Sequence, residues 1–242
     1  MPERVNVLGV AFDRVDLPGA VAWILARLDR GERTFVITAN PEFVMLARGD
    51  ARLAEVARDA DLVVPDGTGV AVASAILGRA IPRVPGRLLV DALVPLLADR
   101  GASIFLLGAA PGVAERAADA LRDRVRGVRI AGSYAGDAGD DGESPARVRA
   151  AAPAVLFVAF GMPKQEEWIA RNFDMLPSVQ LAIGVGGVFD QLAGVRKVPP
   201  RVVHRVGLEW LWRLVREPWR WRRQRVLPLF AALVLRKRVT GR

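Results

Sequence analysis

The chain has 242 residues, 52% of them hydrophobic, and no cysteine, so it can bury a core but can form no disulfide, thiolate metal site or cysteine nucleophile. Its charge of +9 is uneven: residues 195–242 carry 14 Lys/Arg against 2 Asp/Glu, and the rest balances at −3. No apolar run reaches the roughly 18–20 residues of a membrane span, and the start MPERVNVLGV lacks a signal-peptide core, so a reducing, cytoplasmic setting is expected.

Residues 5–10 and 12–15 read as short strands around a turn at Gly9, and 18–28 as an amphipathic helix with Pro18 in its first turn. TFVIT (34–38) is a β-branched strand, followed by helices over 43–48 and 51–59. LVVPDGTG (62–69) is the most informative stretch. Three apolar residues read as a buried strand that Pro65 stops, because proline gives no N–H to a ladder. Asp66 then falls just past a strand's carboxyl end, beside glycines that open a helix over 70–77. A cap or turn role for Asp66 competes with a chemical one.

Residues 83–86 read as a loop, 88–99 as a helix, 103–107 as a strand, 108–112 as a glycine turn and 113–125 as a helix. The turn at Gly108 lacks both the G-x-G-x-x-G spacing and a Walker lysine, so neither NAD nor P-loop chemistry is supported. A strand over 128–131 leads into a polar loop over 132–145, in which Asp140-Asp141 reads as solvated. A strand over 154–160 precedes FGMPKQEEWIAR (160–171). There Gly161 ends the strand, Gln165 is expected to face out, Lys164, Glu166 and Glu167 read as a solvated face, and Trp168 as core. The last strand, 179–185, runs into GVGGVFDQLAG (184–194), with Gly186 in a glycine platform and Asp190 as an acceptor for ribose hydroxyls.

Strands alternating with helices predict an α/β fold, a Rossmann-like, mostly parallel sheet with helices on both faces over residues 1–194. Thr38/Asn40, Asp66/Thr68, Gly108, Gly161/Gln165 and Gly186/Asp190 all follow apolar runs, so parallel strands bring them to one edge. Asp59-Ala60-Asp61 spells D-x-D but precedes its strand, which puts it at the opposite end as a helix terminus. With His204 the only histidine, histidine-based catalysis or metal binding is not expected, and with no dinucleotide or P-loop pattern no cofactor is expected.

Residues 195–242 read as a basic helical appendage with four of the six tryptophans. On a helical wheel Val203, Val206, Trp210 and Leu214 share one face, and Arg201, Arg205, Trp212 and Arg216 the other. Pro218 breaks this helix. VLPLFAALVL (226–235) follows, too short to span a bilayer but suited to an interface, and then Arg236-Lys237-Arg238. An anionic membrane surface is the expected partner. A single-stranded nucleic acid and a homo-oligomer contact are the competing partners for this tail, and the apolar decamer argues against nucleic acid.

TANPEFV (38–44), VVPDGTGV (63–70), FGMPKQEEWI (160–169), GVGGVFDQLAG and GLEWLWRLVREPWRWRR (207–223) occur in the order and spacing of the WecG/TagA/CpsF glycosyltransferases, which the chain resembles through about residue 225. The resemblance implies metal-independent, inverting transfer of a sugar from a UDP-sugar to a polyprenyl-diphosphate-linked acceptor at the inner face of the cell membrane. It assigns Asp66 as general base, with Thr38 and Asn40 beside it. Gly67 and Thr68 fall in the same VVPDGTGV motif. Arg83 and Gln165 match positions that meet the diphosphate and the donor sugar, and Asp190 matches a nucleotide-side position. Arg213, Arg220 and Arg223 match basic residues that close over the site. Met162 replaces the family's usual alanine. A nucleotide-sugar-binding protein without turnover is the alternative to an enzyme.

Overall fold

The computed structural model describes residues 2–197, 209–216 and 221–241. A short antiparallel hairpin, β1 (Arg4–Val7) and β2 (Val10–Asp13), is followed by α1 (Leu17–Asp29) and β3 (Thr34–Ala39). Then come α2 (Pro41–Gly49), α3 (Ala51–Asp59), β4 (Leu62–Pro65), α4 (Thr68–Ile76) and α5 (Gly86–Asp99). The second half runs β5 (Ser103–Gly108), α6 (Val113–Arg124), β6 (Arg129–Tyr134), α7 (Glu143–Ala151), β7 (Val155–Ala159), α8 (Lys164–Asn172) and β8 (Leu181–Gly184). It ends with α9 (Val188–Leu192), α10 (Glu209–Arg216), α11 (Trp221–Gln224) and α12 (Val226–Thr240).

Six strands form one all-parallel sheet in the order β4-β3-β8-β7-β5-β6. The interior strands are nearly continuous apolar runs because both faces are covered. Alternate residues go to opposite sides: Phe35, Ile37, Leu156 and Val158 join one core, Val36, Val155, Phe157 and Ile183 the other. Helices α1, α5, α6 and α9 cover the second of these faces, and α2, α3, α4, α7 and α8 the first. The hairpin is tied to the sheet by Asp13. Its buried carboxylate accepts from the Val63 N–H at 2.7 Å and from Arg4 Nε at 3.1 Å. Burial raises the Asp13 carboxyl above its ordinary range, and these donors offset part of that cost.

The chain leaves β5 toward β6 through α6 on one face and leaves β7 toward β8 through α8 on the other. Neighbouring strands that depart in opposite directions open a crevice between their loops, at the carboxyl edge. A Cβ on Gly108 (φ +109°) would lie 2.7 Å from the Ala159 carbonyl carbon, so only glycine lets β5 close on β7 at this point.

Two expectations are corrected. Residues 132–145 are not a loop throughout: β6 continues to Tyr134, and α7 begins at Glu143. Asp140 is not simply solvated, for its carboxylate accepts from the N–H groups of Gly142, Glu143 and Ser144, which holds the start of α7 and lowers its pKa. Asp141 pairs with Arg171 at 3.2 Å. Asp61, by contrast, sits at the far end of the sheet, accepting from the Phe35 N–H and pairing with Arg27, as a structural terminus should.

Helix α12 packs on α2 and α4, with Phe230 and Val234 buried in the core of that face. Part of the apolar decamer is therefore core. The wheel positions Arg201, Val203, Arg205 and Val206, and likewise His204 and Pro218, lie outside the described residues. No helix among the described residues is long and apolar enough to cross a membrane.

Candidate active site

The loops that follow β3, β4, β7 and β8 converge on a cleft of about 930 Å³ at the carboxyl edge. Of the residues expected there, Thr38, Asn40, Asp66, Gly67, Thr68 and Arg83 line it on one side. Gly161, Gln165, Gly186 and Asp190 line it on the other. Gly108 is not on its wall: it is buried, and Ala109 and Ala110 take its place on the surface of the cleft.

Asp66 is half-buried at the centre of the first wall. Its backbone N–H donates to the Ala39 carbonyl, which continues the β3–β4 ladder by one rung and fixes where the side chain starts. Its Oδ1 accepts a 2.6 Å hydrogen bond from the Gly86 N–H, the first amide of α5. The start of α4 lies two residues on, at Thr68. Two helix N-termini thus meet at one carboxylate, and both favour negative charge beside them. A Cβ on Gly86 would sit 3.0 Å from Thr38 Oγ1 and 3.5 Å from Asp66 Oδ1, a tight fit that the glycine relieves. Thr38 Oγ1 donates to the Gly184 carbonyl at 3.2 Å, which joins β3 to β8 at the floor. Asn40 caps α2, its Oδ1 accepting from the Phe43 N–H.

Gln165 does not face out. It is buried, and its Oε1 accepts from the Gly161 N–H at 3.2 Å and the Gly186 N–H at 2.9 Å, so one amide ties the loop after β7 to the loop after β8. Its Nε2 donates to Glu166 Oε1 at 2.8 Å, an orientation that matches the two N–H donors on Oε1. Glu166 is likewise no part of a solvated face: it is buried, and its Oε2 has no hydrogen-bond partner among the described residues. Trp168 is fully buried core, edge-on to Phe160.

Burial pushes the Glu166 carboxyl up from 4.5 to about 7, against the smaller opposing effect of the Gln165 amide. Between those two pH values the folded protein holds a proton that the unfolded chain releases. Stability therefore falls as pH rises through this window, by about 3 kcal/mol in all at 1.36 kcal/mol per unit. Glu166→Gln removes the titration, and chemical denaturation from pH 4.5 to 8 should show a flatter decline than the parent. An unchanged slope would mean that Glu166 is ionised and solvated in the native state.

Among the cations on the cleft wall, Arg83 donates to Thr68 Oγ1 at 3.3 Å. Arg87 pairs with Asp91 at 3.1 Å and reaches Gln191 Oε1 at 3.2 Å. Asp190 pairs with Arg196 at 3.4 Å, so its carboxylate already has a cation beside it. Arg87 and Arg196 were not singled out from sequence, as neither follows a strand directly. The third wall was also missed: α12 supplies Leu227, Phe230, Ala231, Val234 and Leu235, and Gln224 precedes it. Arg213 and Arg223 lie on α10 and α11, their side chains outside the described set, and Arg220 lies outside the described residues altogether. Among the described residues no three His, Asp or Glu side chains gather as metal ligands would.

The family model described as Glycosyl transferase WecG/TagA/CpsF family matches residues 5–242. An N-acetylglucosaminyldiphosphoundecaprenol N-acetyl-beta-D-mannosaminyltransferase of Bacillus spizizenii is 33% identical over 210 residues, 86% of this chain and 81% of the relative. A protein of the same name from Staphylococcus aureus strain MW2 is 32% identical over 230 residues, 94% of this chain and 90% of that one.

Proposed function

The chain belongs to the WecG/TagA/CpsF glycosyltransferase family, and from that premise we propose that it transfers N-acetylmannosamine or a related sugar from a UDP-sugar to a polyprenyl-diphosphate-linked GlcNAc-type acceptor, with inversion and without a metal ion. The observation that carries this reading is the Asp66 carboxylate, held at the rim of the sheet by the Gly86 N–H where two helices begin.

In one displacement the acceptor hydroxyl oxygen bonds to the anomeric carbon as the bond to UDP breaks. Asp66 takes the hydroxyl proton in the same step. Holding the two substrates in line supplies on the order of 7–11 kcal/mol in favourable cases. The departing diphosphate gains negative charge, which the N-termini of α4 and α5 and the Arg83 guanidinium are suited to stabilise. Arg213, Arg220 and Arg223 add to this when the segment that carries them docks on the anionic inner leaflet and folds over the cleft. Support for docking comes from the appendage's charge of +12 and from the part of the decamer left exposed, as at Leu229.

The test of the reaction is incubation with a panel of UDP-sugars and a lipid-diphosphate-GlcNAc acceptor in EDTA, scored by mass. One sugar should be added to the acceptor and UDP released. No product from any donor, or product only with a divalent cation restored, contradicts the reading. Flotation tests the docking: the protein should rise with anionic vesicles and stay down with neutral ones, and equal behaviour on both would refute a charge-driven contact.

A further inference from the structure

Helix α4, TGVAVASAI, has no charged residue, although one side of it faces solvent. The first ten residues of α12, VLPLFAALVL, have none either. By contrast, ARLAEVARD of α3 and VAERAADALRDR of α6 are heavily charged on their exposed sides. Helices α4 and α12 touch each other, and α4 and the uncharged part of α12 both line the Asp66 cleft. Large aliphatic side chains stand exposed along that shared wall: Val72 at 51%, Ile76 at 36% and Leu235 at 55%.

Val72 and Ile76 are four residues apart and so share a helix face. At 1.5 Å per residue the strip runs roughly 12 Å from the start of α4 at Thr68, where Asp66 stands, to Ile76. One end is therefore the polar reaction centre with its two helix N-termini, and the rest is aliphatic. An exposed apolar strip continuous with a polar cleft marks a ligand that is itself polar at one end and apolar along its length. We propose that the first isoprene units of the acceptor's polyprenyl chain lie along Val72, Ile76 and Leu235, with the GlcNAc-diphosphate head toward Asp66. This rests on the lipid-linked acceptor proposed above. The strip draws the base of the chain out of the bilayer, so that a protein whose described helices cannot span a membrane reaches a hydroxyl tethered to one.

The test compares two acceptors with the same GlcNAc-diphosphate head, one on a long polyprenyl chain in detergent and one on a three-carbon alkyl group. In the double variant Val72→Ser/Ile76→Ser the ratio of long-chain KM to short-chain KM should rise about tenfold, as expected for losing two aliphatic contacts. Leu235→Ser should raise it in the same direction and serves should the double variant fail to fold. Val239→Ser, exposed on α12 but away from the cleft, should leave the ratio within twofold. An unchanged ratio in the strip variants overturns the proposal. So does a rise that Val239→Ser reproduces together with lost vesicle flotation, which would make the strip a general membrane contact. If the unaltered enzyme transfers to neither acceptor, the proposed function fails and takes this inference with it.

Discussion

Asp66→Asn should lower kcat by about 10²–10⁴-fold, the usual contribution of a positioned general base. The substitution is chosen because it keeps shape. Asparagine retains an oxygen that can accept the 2.6 Å hydrogen bond from the Gly86 N–H, so the start of α5 and the floor around Thr38 stay as they are. Melting temperature and UDP affinity should accordingly match the parent's. If turnover stays within a few-fold, the proton goes elsewhere. If UDP binding is lost along with turnover, Asp66 is positioning the donor or the fold and not acting on the acceptor.

Gln165→Leu should be the most damaging change on the opposite wall. Leucine fills similar space but accepts nothing, so the Gly161 and Gly186 N–H groups lose their shared acceptor and Glu166 Oε1 loses its donor. Each orphaned group costs about 1–3 kcal/mol when buried, and both N–H groups are only partly so, which places the total at about 2–4 kcal/mol. For a chain of this size that is a fall in Tm of roughly 4–16 °C. The loops after β7 and β8 also lose their common anchor, so KM for the UDP-sugar should rise in the folded fraction. A variant with the parent's Tm and KM would show that Gln165 points outward and that the two loops hold without it.

The contrast between these residues shows what the sequence could and could not convey. Asp66 was readable because proline and glycine bracket it: a strand must stop at Pro65, and a helix pattern follows from residue 70, two residues after α4 in fact begins, which leaves a short turn for the carboxylate. The parallel sheet was readable for a similar reason, since apolar runs of four to six residues alternate with longer amphipathic segments. Gln165 and Glu166 were misread because polarity was taken for exposure. The buried positions of α8 are 165, 166, 168, 169 and 172, a regular helical stripe, but three of its five members are Gln, Glu and Asn. The helix α7 was hidden by the glycines and aspartates before it, where Asp140 serves as the start signal rather than as part of a loop. The wall supplied by α12 depends on contacts with α2 and α4 far away in the chain, which no local pattern encodes.

If the catalytic contribution of Asp66 is proton removal alone, Asp66→Asn, which keeps the acceptor for the Gly86 N–H, should regain turnover with azide, which is already an anion and needs no base. Azide should restore consumption of the UDP-sugar in the variant, forming a carbon–nitrogen bond at the anomeric carbon as UDP leaves, with inverted configuration in the glycosyl azide. A variant that azide leaves inactive, or a glycosyl azide of retained configuration, would contradict this mechanism.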